Sequence, residues 1–315
     1  MNVTAEGPTA VVVVNYGASA LLETNLVQVD DEVAGLVVVV VDNFTSTAEQ
    51  DAVRALCDRR RWHLVASPTN LGFGSGMNAG VEVAIGAGAE QLLLLNPDAR
   101  IDAASLGLLV DAVRAEPLTM VGPVLRTASG ALWSDGHDLY LDRGRMRATR
   151  KREGSPRVAE WLTGACLVLS TTLWQRVGGF DDRYFLYWED VDLSWRVLEA
   201  GGRLRVVRDA VAVHDEGGTQ VRSSERALST TYYYFNIRNR LVFAAHHLPT
   251  RDRLRWALTA PSEAWAVLLR GGRRQLVHSP DPWRAAVTGT FAGLRALVGG
   301  RAAARDRRGG HGQQP

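Results

Sequence analysis

Three carboxylates fall within four residues in the stretch Phe185-Leu186-Tyr187-Trp188-Glu189-Asp190-Val191-Asp192-Leu193. Carboxylates set among Trp and Tyr are poorly hydrated, and desolvation raises their pKa towards the range of a general base. The same residues also suit the acidic first turn of a helix, where they complement its dipole. Two further groups could act with them. Leu92-Leu93-Leu94-Leu95-Asn96-Pro97-Asp98 reads as an apolar strand that stops at a carboxylate, and Val211-Ala212-Val213-His214 as one that stops at an imidazole. A carboxylate oxygen suits Mg²⁺ or Mn²⁺, leaving other positions to water and diphosphate. Imidazole suits Mn²⁺ as well. The combination suggests a metal-assisted transfer site; a turn role for Asp98 and a structural role for His214 are the alternatives.

The elements that must position these groups alternate. Residues 10–14, 36–41, 62–66 and 91–95 read as buried strands by their apolar runs. Residues 19–29, 48–60, 77–87 and 106–115 have helical spacing, the last stopping before Pro117. Strand–helix alternation with fully apolar strands predicts an α/β fold, a mostly parallel sheet with helices on both faces. Such sheets bind ligands at the carboxyl ends of their strands, where Asn15, Asp42 and Asp98 stand.

The second half is less regular. Residues 143–157 are polar and charged and predict a mobile surface loop, and 178–181 a turn. Residues 190–200 predict a helix stopped by Gly201-Gly202, and 206–213 a strand. Beyond Arg251 the pattern is helical and rich in Arg and Trp, and 309–315 reads as disordered. The organisation expected is a catalytic region over 1–250, split near residue 125, then a basic helical extension over 251–308.

Composition narrows the setting. A 315-residue chain that is 46% hydrophobic can build a substantial core. Cys57 and Cys166 match no zinc spacing and predict buried free thiols, in keeping with a cytoplasmic location. Residues 1–10 carry no basic run ahead of the valines, and no stretch reaches the roughly 18 apolar residues of a membrane span. The net charge is +2, yet residues 251–315 hold 12 Arg against 4 acids. An anionic ligand in the acidic remainder therefore needs a bound cation. The basic tail is expected to meet an anionic membrane surface at the cytoplasmic face, with Trp256, Trp265 and Trp283 as interfacial contacts. A helical pair packed on the catalytic region is the alternative. No nucleic-acid partner is expected.

Two motifs remain. Val41-Asp42-Asn43 ends a strand with a carboxylate that could accept from a pyrimidine N–H or a ribose hydroxyl, or could cap the next helix. Asn70-Leu71-Gly72-Phe73-Gly74-Ser75-Gly76-Met77-Asn78-Ala79-Gly80 opens a helix whose N-terminus favours anions. Gly74-x-Gly76-x-x-Ala79 imitates a dinucleotide fingerprint. It follows the third strand, not the first, and six residues separate Ser67 from Gly74, which argues against a dehydrogenase.

Taken together, Asn15-Tyr16, Asp42-Asn43, Gly72 with Asn78, Asn96-Pro97-Asp98, Trp161-Leu162-Thr163-Gly164-Ala165, Gly178-Gly179-Phe180-Asp181, Trp188-Glu189-Asp190-Val191-Asp192 and His214 resemble the family 2 glycosyltransferases of GT-A fold. The likeness is to the rhamnosyltransferase branch and spans about residues 10–245. The resemblance implies an inverting transferase with a dTDP- or UDP-linked sugar donor, a glycan or polyprenyl-linked acceptor and a divalent cation. It implies donor contacts from Asn15, Tyr16, Asp42, Asn43, Gly72, Asn78, Asn96 and Asp98, and a metal on Asp98 and His214. Trp161, Gly164 and Trp188 are implied on the acceptor side. Asn96 stands where a strict DxD element has its first Asp. Asp190 matches the base, Glu189 is the second choice, and Asp192 is expected to be structural. Arg238 and Arg240 are candidates to close over the diphosphate, with a packed helix as the alternative. A nucleotidyltransferase or a sugar-nucleotide binder on a related fold is the competing class.

Overall fold

Four consecutive valines, Val11 to Val14, leave no polar face for water. A strand of that kind needs cover on both sides, and it receives it. The structure is a computed structural model that describes residues 7–154, 156–214 and 228–309, with side chains as far as residue 299. Its strands are β1 (Thr9–Asn15), β2 (Val37–Asp42), β3 (His63–Ala66), β4 (Gln91–Leu95), β5 (Ala99–Ile101), β6 (Thr119–Arg126), β7 (Leu132–Ser134), β8 (His137–Tyr140), β9 (Arg145–Ala148), β10 (Val158–Trp161), β11 (Cys166–Ser170) and β12 (Arg203–His214). Its helices are α1 (Ser19–Leu21), α2 (Val27–Glu32), α3 (Thr47–Arg60), α4 (Phe73–Gly86), α5 (Ala103–Ala115), α6 (Thr171–Val177), α7 (Glu189–Glu199), α8 (Thr230–His247), α9 (Thr250–Leu258), α10 (Ala260–Leu268), α11 (Arg273–His278) and α12 (Asp281–Gly309). A π-helical turn, Leu22–Leu26, joins α1 to α2.

The main sheet has the order β3-β2-β1-β4-β11-β6-β12-β5, with β7 beside β6. The pairs β3–β2, β2–β1, β1–β4 and β6–β12 are parallel, whereas β11 runs antiparallel between β4 and β6. Alternate residues of β1 serve two cores. Val11 and Val13 join Leu22, Leu26 and the apolar faces of α3 and α5. Ala10, Val12 and Val14 join α4 and Leu193 and Val197 of α7. Cys57 and Cys166 are buried free thiols, as expected, and burial raises both, to about 11 and about 12.

The expected loop at 143–157 is corrected. β9 lies within it and pairs with β8, which also pairs with β10 in a small antiparallel sheet. The charges that suggested solvation are paired instead. Arg145 donates to the buried Glu263 at 2.7 and 2.9 Å, and Arg152 meets Asp138 and Glu160. Leu139 of this sheet and Trp161 enter a third core with Trp188, Val191, Phe243 and Trp256. That core ties the small sheet to α7, α8 and α9. Trp256, expected at a membrane interface, is 0% exposed and donates to the Leu141 carbonyl at 3.0 Å. Gly309 closes α12, so the tail expected from 309 is corrected at that residue; residues 310–315 lie outside those described. Among the described residues no helix is long and apolar enough to cross a membrane.

Candidate active site

β1 and β2 pair in parallel so that Asn15 and Asp42 are register partners at their carboxyl ends. Asn15 Nδ2 donates to Asp42 Oδ1 at 3.0 Å, and its Oδ1 accepts the Ala18 N–H at 3.1 Å. Gln50 Nε2 donates to Asp42 Oδ2 at 3.1 Å and to the Ser67 carbonyl at 3.2 Å. Asp42 is thus fully buried, with each oxygen accepting a hydrogen bond. Next in the chain, Asn43 donates to the Gly72 carbonyl at 2.7 Å and accepts the Leu71 N–H at 3.2 Å. Gly72 has φ +83°, and a Cβ there would lie 2.3 Å from the Phe185 carbonyl oxygen. That carbonyl accepts the Phe73 N–H at 2.9 Å, so the glycine loop is fastened to the segment leading into Glu189 and Asp190. Gly80 serves packing, since a Cβ there would sit 2.4 Å from Val12 Cγ1.

At the end of β4 the chain turns through Asn96 and Pro97 into β5. β12 pairs antiparallel with β5, placing His214 opposite Ala99. His214 Nε2 then lies 3.2 Å from Asp98 Oδ1, and both residues are buried. Neither atom has a hydrogen-bond partner among the described residues, nor does His214 Nδ1. Unpaired buried polar atoms are costly, so the arrangement calls for something between them. Octahedral ligands about 2.1 Å from one ion lie about 3 Å apart, close to the separation seen. The pair therefore fits a divalent cation. No group of three or more His, Cys, Asp or Glu that could hold a metal occurs among the described residues, which leaves most of a coordination sphere to ligand and water.

The carboxylate cluster begins α7 through an unusual turn. Tyr187 and Trp188 have φ +65° and +75°, the left-handed region that bulky residues avoid. Strain of this kind persists only when surrounding contacts hold it. Here Asn239, fully buried on α8, donates from one Nδ2 to the carbonyls of Leu186 and Tyr187 at 3.0 and 2.8 Å. The turn delivers Asp190 with Oδ2 accepting the Gly164 N–H at 3.1 Å and Oδ1 accepting the Val191 N–H at 2.8 Å.

Desolvation pushes the Asp190 carboxyl up to about 6, against the pull of those N–H donors. Glu189 rises well above the carboxylate range through burial and the neighbouring Asp190, and its Oε2 has no partner among the described residues. The two acids are driven apart: Asp190 carries the hydrogen bonds that favour an anion, whereas burial and the neighbouring Asp190 disfavour the charged form of Glu189. Asp192 is buried and bonded to Arg196 at 2.7 Å and His247 at 2.6 Å, the structural role expected of it.

One strap joins the two halves. Gly164 donates to Asp190, while the next residue, Ala165, accepts the Asn96 N–H at 3.0 Å. The base candidate and the Asp98 turn thus hang on adjacent residues. Tyr16 is half exposed at the strand ends. Asn78 spends its amide on the backbone of Phe180, donating at 2.9 Å and accepting at 2.8 Å, which secures the turn at 178–181. Trp161 and Trp188 are both buried. Trp161 stacks on His137, and Trp188 packs on Phe243 and Trp256, so their rings are core where an acceptor surface was expected. Arg240 is also corrected. It is buried over the Trp256 ring and bonded to the carbonyls of Arg143 and Trp256, and desolvation lowers it to about 10. Arg238 donates to the Arg183 carbonyl. Sequence reasoning missed Gln50 and Asn239, whose partners are distant in the chain. The aromatic stacking of Phe185 on Phe235 and of Tyr187 edge-on to Tyr232 was also missed. The cavity of about 550 Å³ bounded by α2 and α5 lies at the other end of β1 from Asn15.

Comparison with known proteins bears on the family and the fold. Residues 92–298 match the family described as Glycosyl transferase family group 2, and residues 10–165 match Glycosyl transferase family 2. An N-acetylglucosaminyl-diphospho-decaprenol L-rhamnosyltransferase of Mycobacterium tuberculosis is 29% identical over 223 residues, covering 62% of this chain and 71% of the relative. A dTDP-rhamnosyl transferase, RfbF, of Shigella flexneri is 23% identical over 216 residues, covering 67% and 72%. Among solved structures, a mannosyltransferase from Pyrobaculum calidifontis in complex with GDP-Man and Mn²⁺ superposes with a TM-score of 0.51 at 16% identity, covering 94% of this chain and 88% of that one.

Proposed function

The chain belongs to the family 2 glycosyltransferases, rhamnosyltransferase-like and of GT-A fold, and from that premise we propose that it is an inverting enzyme with Asp190 as its base. Family membership removes the dehydrogenase and nucleotidyltransferase alternatives. The donor is a nucleoside-diphosphate sugar, dTDP- or UDP-linked. Rhamnose is favoured because two relatives are named for it. The acceptor is a hydroxyl of a glycan or polyprenyl-linked carrier, as the name of the mycobacterial relative suggests.

The observation that carries this reading is the strap at Gly164-Ala165, which sets a desolvated carboxylate and the Asp98 turn in one frame. In the proposed reaction the acceptor oxygen attacks the anomeric carbon. The bond from that carbon to the diphosphate oxygen breaks on the opposite face, and the acceptor proton passes to Asp190 Oδ. A positioned base is worth about 10²–10⁴ in rate. Burial beside Asp190 disfavours a second negative charge on Glu189. A divalent cation, Mg²⁺ or Mn²⁺, held by Asp98 and His214, supplies charge neutralisation for the departing diphosphate when bound.

Donor recognition is assigned to the strand ends. Asp42 becomes available to a nucleobase or ribose donor group when Gln50, which now donates to its Oδ2, gives way. Asn15 and Asn43 hold Asp42 and the Gly72 loop in place, with Tyr16 exposed beside them. Asn96 forms the turn before Asp98. Phe185, Tyr187, Tyr232 and Phe235 offer a partly exposed aromatic border on the acceptor side. Release of nucleoside diphosphate from a panel of dTDP-, UDP- and GDP-sugars, with Mg²⁺ or Mn²⁺ and no acceptor, tests the reading. Slow release from one donor supports it, and no release from any donor with any ion refutes it.

A further inference from the structure

α9 and α10 are nearly continuous, because Thr259 between them keeps helical dihedrals. Leu254, Leu258 and Trp265 stand four and seven residues apart and so share one stripe; Leu258 is 83% and Trp265 46% exposed. On α12, Trp283, Val287, Phe291 and Val298 form a second stripe, with Trp283 42% and Phe291 70% exposed. The rings of Trp265 and Trp283 stack at 5.6 Å and 29°. That contact makes the two stripes one continuous apolar face. Scattered exposed apolar residues need no explanation, but a continuous rimmed patch does.

The rim is basic. Arg251 and Arg255 flank the first stripe, Arg284 and Arg295 accompany the second, and Arg273 and Arg274 lie exposed on α11, which joins α10 to α12 in the chain. The acids of this region turn inward: Asp252 is buried against Arg157, and Glu263 against Arg145. Asp281 is the exposed exception among the described residues. A two-fold partner copy would set this basic rim against itself. A surface of anionic headgroups over acyl chains complements both the charge and the apolar stripe, and indole rings favour that boundary.

We propose that the outer face of α9, α10 and α12 docks on an anionic lipid bilayer. The inference stands apart from the catalytic reading, because docking requires neither donor nor base. It also narrows the expectation of a basic tail to a defined face that excludes Trp256. α12 reaches the catalytic region through α8. Gly289 and Gly293 are closely packed on α8, where added Cβ atoms would sit 2.7 Å from the Tyr234 carbonyl oxygen and 2.8 Å from Leu241. The same α8 carries Asn239, so α12 and the strained turn both rest on one helix.

The test is sedimentation of the full chain with phosphatidylglycerol vesicles and with phosphatidylcholine vesicles. Binding is expected to the first and not the second, and to weaken as salt is raised. Val287→Ser with Phe291→Ser should lower partitioning by about tenfold or more, as for loss of two apolar contacts. Arg273→Glu with Arg274→Glu should lower it by a similar factor. Unchanged thermal unfolding separates loss of binding from loss of fold. Equal binding to neutral vesicles, or no effect of the serine pair, overturns the proposal. So does a concentration-dependent dimer that the serine pair disrupts in a protein that ignores vesicles.

Discussion

Asp98 Oδ1 and His214 Nε2 face each other across 3.2 Å, buried and without hydrogen-bond partners among the described residues. Asp98 closes the turn into β5 and His214 ends β12, and the two meet because β12 returns beside β5. A buried pair left in this state is poised to be bridged, and their separation suits two ligands of one cation. His214→Ala and Asp98→Ala should each weaken the Mn²⁺-dependent part of nucleoside-diphosphate binding by at least about tenfold. Calorimetric titration with and without the ion reads this directly; an unchanged metal response in both variants would remove the assignment.

Asn239 is expected to act as a positioning residue. Asn239→Ala leaves the carbonyls of Leu186 and Tyr187 without their buried donor, at a cost of about 1–3 kcal/mol. The loosened turn should lower kcat by more than it raises donor KM, since Asp190 is displaced while the strand ends stay in place. A change confined to KM would show that the turn does not govern the base.

Gly72→Ala meets two obstacles, a left-handed backbone and a Phe185 carbonyl oxygen 2.3 Å from the new Cβ. Destabilisation should exceed about 1 kcal/mol, read as a lower midpoint in urea. Nucleotide affinity should fall with it, because Asn43 holds the same loop. A midpoint equal to wild type would mean that the loop adjusts freely.

Two pH effects follow from the raised Asp190 carboxyl. The base must be ionised, so kcat/KM should rise as pH passes upward through about 6 and then level. The folded value lies above the ordinary 3.8, so the folded state holds this proton more tightly than the unfolded chain. Its contribution to stability is therefore fully present below about 4 and is lost as pH rises through about 6. Asp190→Asn should consequently show a flatter dependence of Tm on pH than wild type over that interval. Parallel curves for the two proteins would contradict the desolvation argument.

Much of this architecture is visible in the residues. The runs at β1, β2 and β4 are apolar on both faces, so they read as buried strands without any periodicity. Asp42, Asp98 and His214 declare themselves by ending such runs. The small sheet was hidden because Arg145 and Arg152 look solvated; their partners Glu263, Asp138 and Glu160 are identifiable only once the chain is folded. Trp256 was misread for the same reason, since an Arg-rich helix gives no sign that one of its aromatics is fully buried. Asn239 and Gln50 carry no local signal at all. Their importance lies in two carbonyls and one carboxylate oxygen that the fold brings to them.

The central claim is that Asp190 takes the acceptor proton. The most direct measurement compares Asp190→Asn with wild type in two assays, calorimetric binding of the nucleoside diphosphate with Mn²⁺ and turnover with donor and acceptor. Binding should stay within about threefold while turnover falls by about 10²–10⁴. Retention of more than about a tenth of wild-type turnover, with binding intact, would contradict the assignment and turn attention to Glu189.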